Sequence, residues 1–240
     1  MTTVNSFKKG LKDGIPICLG YLSVSFAFGI FTVECGLTVW QAVFISLFNL
    51  TSAGQLAGVP IMATGGSLAE LALSQLIINS RYSLMSVSLA QKLSPKISFA
   101  EKLCIAYGNT DEIFAVSVSQ KGEVGSRYMA GLIALPVVGW TGGTLMGAVA
   151  GNILPTMVTA ALGLAIYGMF VAIVIPVAKK EKATAVCVLT AISFSCAFRY
   201  VPLLSKVPAG FTIIICAVLA SAIFAIVAPI KADEEVQENG

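Results

Sequence analysis

About eight apolar runs dominate this chain, at roughly 15–33, 38–62, 68–90, 99–118, 128–150, 157–178, 183–201 and 208–230. Each is close to the ~20 residues that an α-helix needs to span a hydrocarbon core. The runs do not alternate polar with apolar residues, so a closed β-barrel is set aside. The expected fold is all-α, a polytopic membrane helix bundle of about six to eight transmembrane segments. With 57% hydrophobic and 11% charged residues, no sequence is left for a separate soluble domain. Residues 1–240 read as one integral membrane domain with a polar tail over 231–240, so any function works within or across the bilayer.

Several function classes fall away on composition. The net charge of +3 lies in clusters at helix ends, which is a topology signal and not a nucleic-acid footprint. The six cysteines are scattered without a C-x-x-C and read as packing residues. Histidine is absent, which removes a His-assisted serine protease, an H-E-x-x-H metalloprotease and most metal sites built on His. No G-x-x-x-x-G-K-[ST] motif is present, and no cofactor is expected. The first apolar run lacks a small-residue cleavage site and is read as retained. The expected location is a bacterial-type inner (cytoplasmic) membrane.

The second run, TVWQAVFISLFNLTSAGQLAGVPIM, is interrupted by Asn49, Thr51, Ser52, Gly54, Gln55 and Gly58. Such an interruption at mid-membrane predicts an unwound or re-entrant helix lining protein or water. For Gly54 and Gly58, spaced G-x-x-x-G, close helix packing is an equal reading. Two short matches also suggest an internal duplication, with halves near 14–120 and 127–230. GIPICLG at 14–20 pairs with ALPVVGW at 134–140, and Arg81-Tyr82 pairs with Arg199-Tyr200. Substrate sites of duplicated bundles commonly lie at the interface of the halves. If the second and sixth runs are re-entrant, the lysine clusters at 8–12, 92–102 and 179–182 fall on one side. The halves are then inverted, with Lys121, Arg127 and Lys206 outside.

Arg81, within LIINSRYSLMSVSLAQ, demands a partner, since an arginine at a helix centre costs about 2.5–3.5 kcal/mol on insertion scales. Asp111 and Glu112, in the mixed-polarity stretch YGNTDEIFAVSV, are the candidates. A pair between them could be a permanent salt bridge or a carboxylate site and gate. Asn79 and Arg81 point about 200° apart on a continuous helix, so they face one cavity only if the helix breaks there. The NTDE run reads as a helix start with Asn109 as cap and Glu112 at the third position. A helix starting at mid-depth turns its positive end toward an anion, while neighbouring carboxylates suit an ammonium group or a proton.

At these residues the chain resembles the AzlC family, the large subunits of branched-chain amino acid exporters. The resemblance rests on GIPICLGYLSVSFAFGI, GLTVWQAVFISLFNLTSAGQ, INSRYSL and GNTDEIFAV. It implies a secondary carrier that exports small hydrophobic amino acids such as valine, leucine, isoleucine or methionine. It also implies a small membrane partner of the AzlD type. The family elements fall on Ala53, Gly54 and Gln55; on Asn79 and Arg81; and on Thr110, Asp111 and Glu112. Tyr82 departs from the pattern, which often has histidine, and FNLTSAG is more polar than expected.

The candidate translocation residues are therefore Asn49, Gln55, Asn79, Arg81, Thr110, Asp111, Glu112 and Arg199. Arg81 would hold a substrate carboxylate, Gln55 and Asn49 would hydrogen-bond it, and Asp111 or Glu112 would take the ammonium or a proton. Arg199 would be the counterpart of Arg81 in the second half. A membrane scaffold whose charges only pair with a partner competes with this reading, a channel less so, and an enzyme least.

Overall fold

A computed structural model describes residues 3–155 and 174–228 together with isolated positions between them. The sixth run and the polar tail fall largely or wholly outside the described residues. The fold is all-α. Four of the described helices are long and apolar enough to cross a membrane: α1 (Phe7–Glu34), α8 (Ser126–Gly151), α9 (Lys182–Tyr200) and α10 (Ala209–Val227). Between α1 and α8 lie half-length helices: α2 (Val39–Phe48), α3 (Ser52–Ala63), α4 (Leu68–Asn79), α5 (Arg81–Lys92), α6 (Phe99–Tyr107) and α7 (Asp111–Val118). At 1.5 Å per residue these reach about 12–18 Å, half of a hydrocarbon core of about 30 Å.

Polar caps start the short helices. Thr38 and Ser98 form capping boxes with Gln41 and Glu101, and Thr51 and Ser67 accept from the third amide of α3 and α4. At α7 the cap is Thr110 and not Asn109: Thr110 has an extended backbone and accepts from the Ile113 amide at 3.5 Å. Asn109 turns its amide to Ser86 at 3.2 Å instead.

The membrane path follows from what each end touches. Strand β1 (Thr3–Val4) pairs in parallel with β2 (Glu123–Val124), and Leu93 bridges to Val124. Lys9 reaches Gln120 at 2.7 Å. The start of α1, the end of α5, the end of α7 and the start of α8 thus meet at one end of the molecule. At the other end, Val59 of α3 packs with Phe28, Phe31, Cys35 and Leu37. The second run therefore enters from that far end as α2, turns at 49–51 and returns as α3, a re-entrant hairpin as its polar interruption suggested. α3 then doubles back on α4, and α4 and α5 cross with a kink at Ser80.

The fourth run, expected to cross, does not. Starting at the end where Leu93 meets Val124, α6 climbs to the middle, the chain turns at 108–110, and α7 returns to the Lys9 end. It is a second re-entrant hairpin, opposed to the first.

This path corrects the inverted arrangement. Along the seam between α1 and α8, Gly10 faces Tyr128, Gly14 faces Leu132, Gly139 faces Cys18, and Gly29 faces Thr144 and Ala148. The two helices that carry the matched motifs are parallel, because two crossings and two re-entrant dips separate their starts. Lys8, Lys9, Lys12, Lys92, Lys96, Lys102, Lys121 and Arg127 then share one end, which the positive-inside rule assigns to the cytoplasm. Lys206 stays at the other end, since the Gly210 amide is bonded to Glu70 beside the α3–α4 turn. We expect cysteines placed at Lys96 and Lys121 to react with an impermeant maleimide only after the cytoplasmic face is opened. A cysteine at Gly65 should react from outside. Labelling of Lys121→Cys from outside would restore a full crossing for residues 99–118.

Candidate functional site

The tips of the two hairpins, where the backbone is extended at Asn49, Thr51 and Thr110, meet the kink of α4–α5 at mid-depth, and polar groups gather there. Asn79, at the end of α4, accepts from Thr51 at 2.9 Å and donates to Gln75 at 3.1 Å. Asn49 donates to the same Gln75 oxygen at 3.3 Å, and Gln75 donates to the Gly54 carbonyl at 2.8 Å. The tip of the first hairpin is thereby tied to α4 by side chains that replace the helical hydrogen bonds lost at the break. The Tyr107 hydroxyl donates to the Leu47 carbonyl and ties the two tips together.

Beside this network lies a cavity of about 430 Å³. One wall is α1, with Pro16, Ile17, Gly20, Tyr21 and Val24; the opposite wall is the start of α7, with Thr110, Asp111 and Glu112. Leu50, Ser52, Tyr82 and Trp140 complete it. The α1 wall is mainly apolar, and the α7 wall is acidic. Asp111 pairs with Arg81 at 2.8 Å. The guanidinium also stacks on the Tyr82 ring, 5.0 Å from its centroid, and donates to its hydroxyl at 3.3 Å. Glu112 has no basic partner among the described residues. It is hydrogen-bonded to the Tyr21 hydroxyl, which also bonds Thr110 at 2.6 Å. Tyr21 meets Trp140 edge to face at 5.0 Å.

A second cavity, of about 240 Å³, lies across Leu50, Tyr82 and Thr110, which line both spaces. Its polar lining is neutral: Asn49, Thr51, Asn79, Tyr107 and Asn109. Asn79 and Arg81 go to different places, Asn79 to the smaller cavity and Arg81 to the carboxylate at the larger one, as their spacing on a helix dictates, since Ser80 between them keeps right-handed helical dihedrals. Each cavity is also lined by a buried residue with an unsatisfied atom. Among the described residues, the Trp140 indole N–H and the Asn109 Oδ1 have no hydrogen-bond partner. Buried polar atoms are nearly always satisfied, so these two are exceptions, as are Gln55 Oε1 and Thr141 Oγ1 away from the two cavities.

Two of the expected residues lie elsewhere. Gln55 is buried one turn past the tip, between α2, α3 and α8, where it donates to Ser46 at 3.1 Å and Ser46 contacts Thr144 at 2.6 Å. Arg199 lines a separate cavity of about 440 Å³ with residues of α9 and α10. It ends a continuous 19-residue helix, whereas Arg81 opens a half-helix at mid-depth, so the two are not equivalent in depth. Tyr21, Gln75 and Trp140 were not anticipated. Trp140 closes the ALPVVGW motif, and that match was the available signal.

A model of the family described as AzlC protein matches residues 16–154, a span that contains every residue of both central cavities and leaves out Arg199. An uncharacterized membrane protein of Archaeoglobus fulgidus is 33% identical over 175 residues, 71% of this chain and 75% of that one. The inner membrane protein YgaZ of Escherichia coli is 29% identical over 194 residues, 78% of each. An uncharacterized membrane protein of Helicobacter pylori is 27% identical over 156 residues, 62% of this chain and 68% of its own. No solved structure matches the chain.

Proposed function

The chain belongs to the AzlC family of membrane transporter components, and from that premise we propose that it exports small hydrophobic amino acids such as valine, leucine, isoleucine or methionine across the cytoplasmic membrane. The observation that carries this reading is the larger cavity, whose apolar α1 wall faces a wall of fixed charge at mid-depth. A free amino acid has the same division between an apolar side chain and a zwitterionic head. The Arg81 guanidinium suits its carboxylate, and the acids at the start of α7 suit its ammonium. A small AzlD-type membrane subunit completes the transporter.

The two acids divide the work. Asp111 is committed to Arg81 at 2.8 Å, while Glu112 is hydrogen-bonded to the Tyr21 hydroxyl and has no basic partner among the described residues. Glu112 is accordingly the group that exchanges a substrate ammonium for a proton. Glu112→Gln is expected to lower efflux down a leucine gradient about fivefold or more, because the substrate ammonium loses its carboxylate, and to abolish the acceleration of the remaining flux by an imposed pH gradient. That gradient response surviving in Glu112→Gln would remove the carboxylate from coupling.

The reading as a whole is tested in proteoliposomes that contain the chain and its small partner, loaded with radiolabelled leucine, valine or methionine. Saturable efflux is expected for these and not for aspartate or lysine. Charged residues that matter only for complex yield, with no flux of any of the three, would turn the reading into that of an assembly subunit.

A further inference from the structure

The glycines of α1 fall into two kinds. A Cβ at Gly10, Gly14 or Gly29 would run into the backbone of α8 at Tyr128, Leu132 or Thr144, so these three are required by the seam. Gly20 is different. A Cβ there would meet nothing within 4 Å among the described residues, and its backbone is not in the left-handed region that favours glycine. Neither packing nor backbone conformation accounts for a poor helix former in the interior of a 28-residue helix. What Gly20 does touch is the larger cavity, on the wall shared with Pro16, Ile17 and Val24 and across from the charges at the start of α7.

We propose that Gly20 sets the size of the side chain this cavity accepts. The inference rests on the amino acid reading above and adds to it the residue that selects within the class. A substrate whose head is held at Arg81 and Glu112 lays its side chain along α1, and the missing side chain at Gly20 provides the room. Methyl and isopropyl groups added there project into that room without disturbing the α1–α8 seam.

The test is a size series. Gly20→Ala and Gly20→Val are reconstituted with the partner, and efflux of alanine, valine, leucine and methionine is compared with wild type. Loss should rank with side-chain size, reaching about tenfold or more for leucine and methionine in Gly20→Val while alanine stays within about twofold. Gly142→Val, which adds the same bulk at another helical glycine with open space around it and outside the cavity, should leave the ranking unchanged. Equal loss for all four substrates, or no change, would overturn the proposal.

If wild type carries none of the four, the amino acid reading fails on its own. Gly20→Cys then decides the point, because an open wall predicts reaction with aminoethyl methanethiosulfonate in membranes above the wild-type background. No such reaction would overturn it.

Discussion

Arg81→Ala is expected to lower amino acid efflux at least tenfold while the protein reaches the membrane in nearly wild-type amount. The two halves of that expectation have separate causes. The Arg81 and Asp111 side chains are 48% and 45% exposed, so the pair is not enclosed by the protein, and such open pairs are worth only about 0–1 kcal/mol to folding. Transport is more demanding, since a change of about 1.4 kcal/mol in the barrier is already tenfold in rate. Without Arg81 the cavity carries two uncompensated carboxylates and no fixed cation for a substrate carboxylate. Asp111→Asn should fail for the converse reason, and the double variant should be no worse than the worse single one, because the two side chains act as a unit. The check is efflux at matched abundance. Additive losses, or normal flux in both single variants, would show the pair to be structural.

Gly147→Val should have the largest effect on the protein itself, removing most of the folded chain. The Gly147 α-carbon is so close to the Phe26 carbonyl that a Cβ has no room, and the same holds at Gly143 against Ser25 and Leu22. Glycines 139, 143, 147 and 151 recur every fourth residue along α8, a small-xxx-small stripe that lets two membrane helices approach backbone to backbone. Forcing these helices apart costs about 1–3 kcal/mol, and more where backbone meets backbone, and disturbs the frame that holds Tyr21 against Trp140. Fluorescence-detected gel filtration should show little monodisperse Gly147→Val, and a normal peak for Gly142→Val one helical face away. A normal Gly147→Val peak would mean that the seam is not packed as described.

The sequence revealed the membrane bundle and the break at Asn49–Thr51, because hydrocarbon tolerates a polar run inside an apolar segment only where the backbone is buried in protein or faces a wet cavity. It also pointed to an Arg81–Asp111 pair, since an intramembrane arginine needs a partner and few were on offer. The path of residues 99–118 was not legible in the same way. Twenty apolar residues suffice either to cross once or to go half-way and return, and length cannot separate the two. What separates them is a contact between distant parts of the chain, Thr3–Val4 with Glu123–Val124, for which two-residue strands leave no pattern. Gln55 lies outside both cavities for a local reason: one helical turn past a break is enough to carry a side chain into a packed interface. Trp140 was missed because an aromatic residue in an apolar run normally reads as packing, and only its free N–H beside the cavity distinguishes it.

The central claim is that substrate occupies the space where the two half-membrane hairpins meet. It is tested most directly by substrate protection of a cysteine placed in the cavity wall at Ser52, in membranes containing the chain and its partner. Leucine should slow the reaction of Ser52→Cys with aminoethyl methanethiosulfonate, aspartate should not, and a cysteine at Lys96 should be indifferent to both. A Ser52→Cys rate unchanged by saturating leucine, valine or methionine would contradict the account.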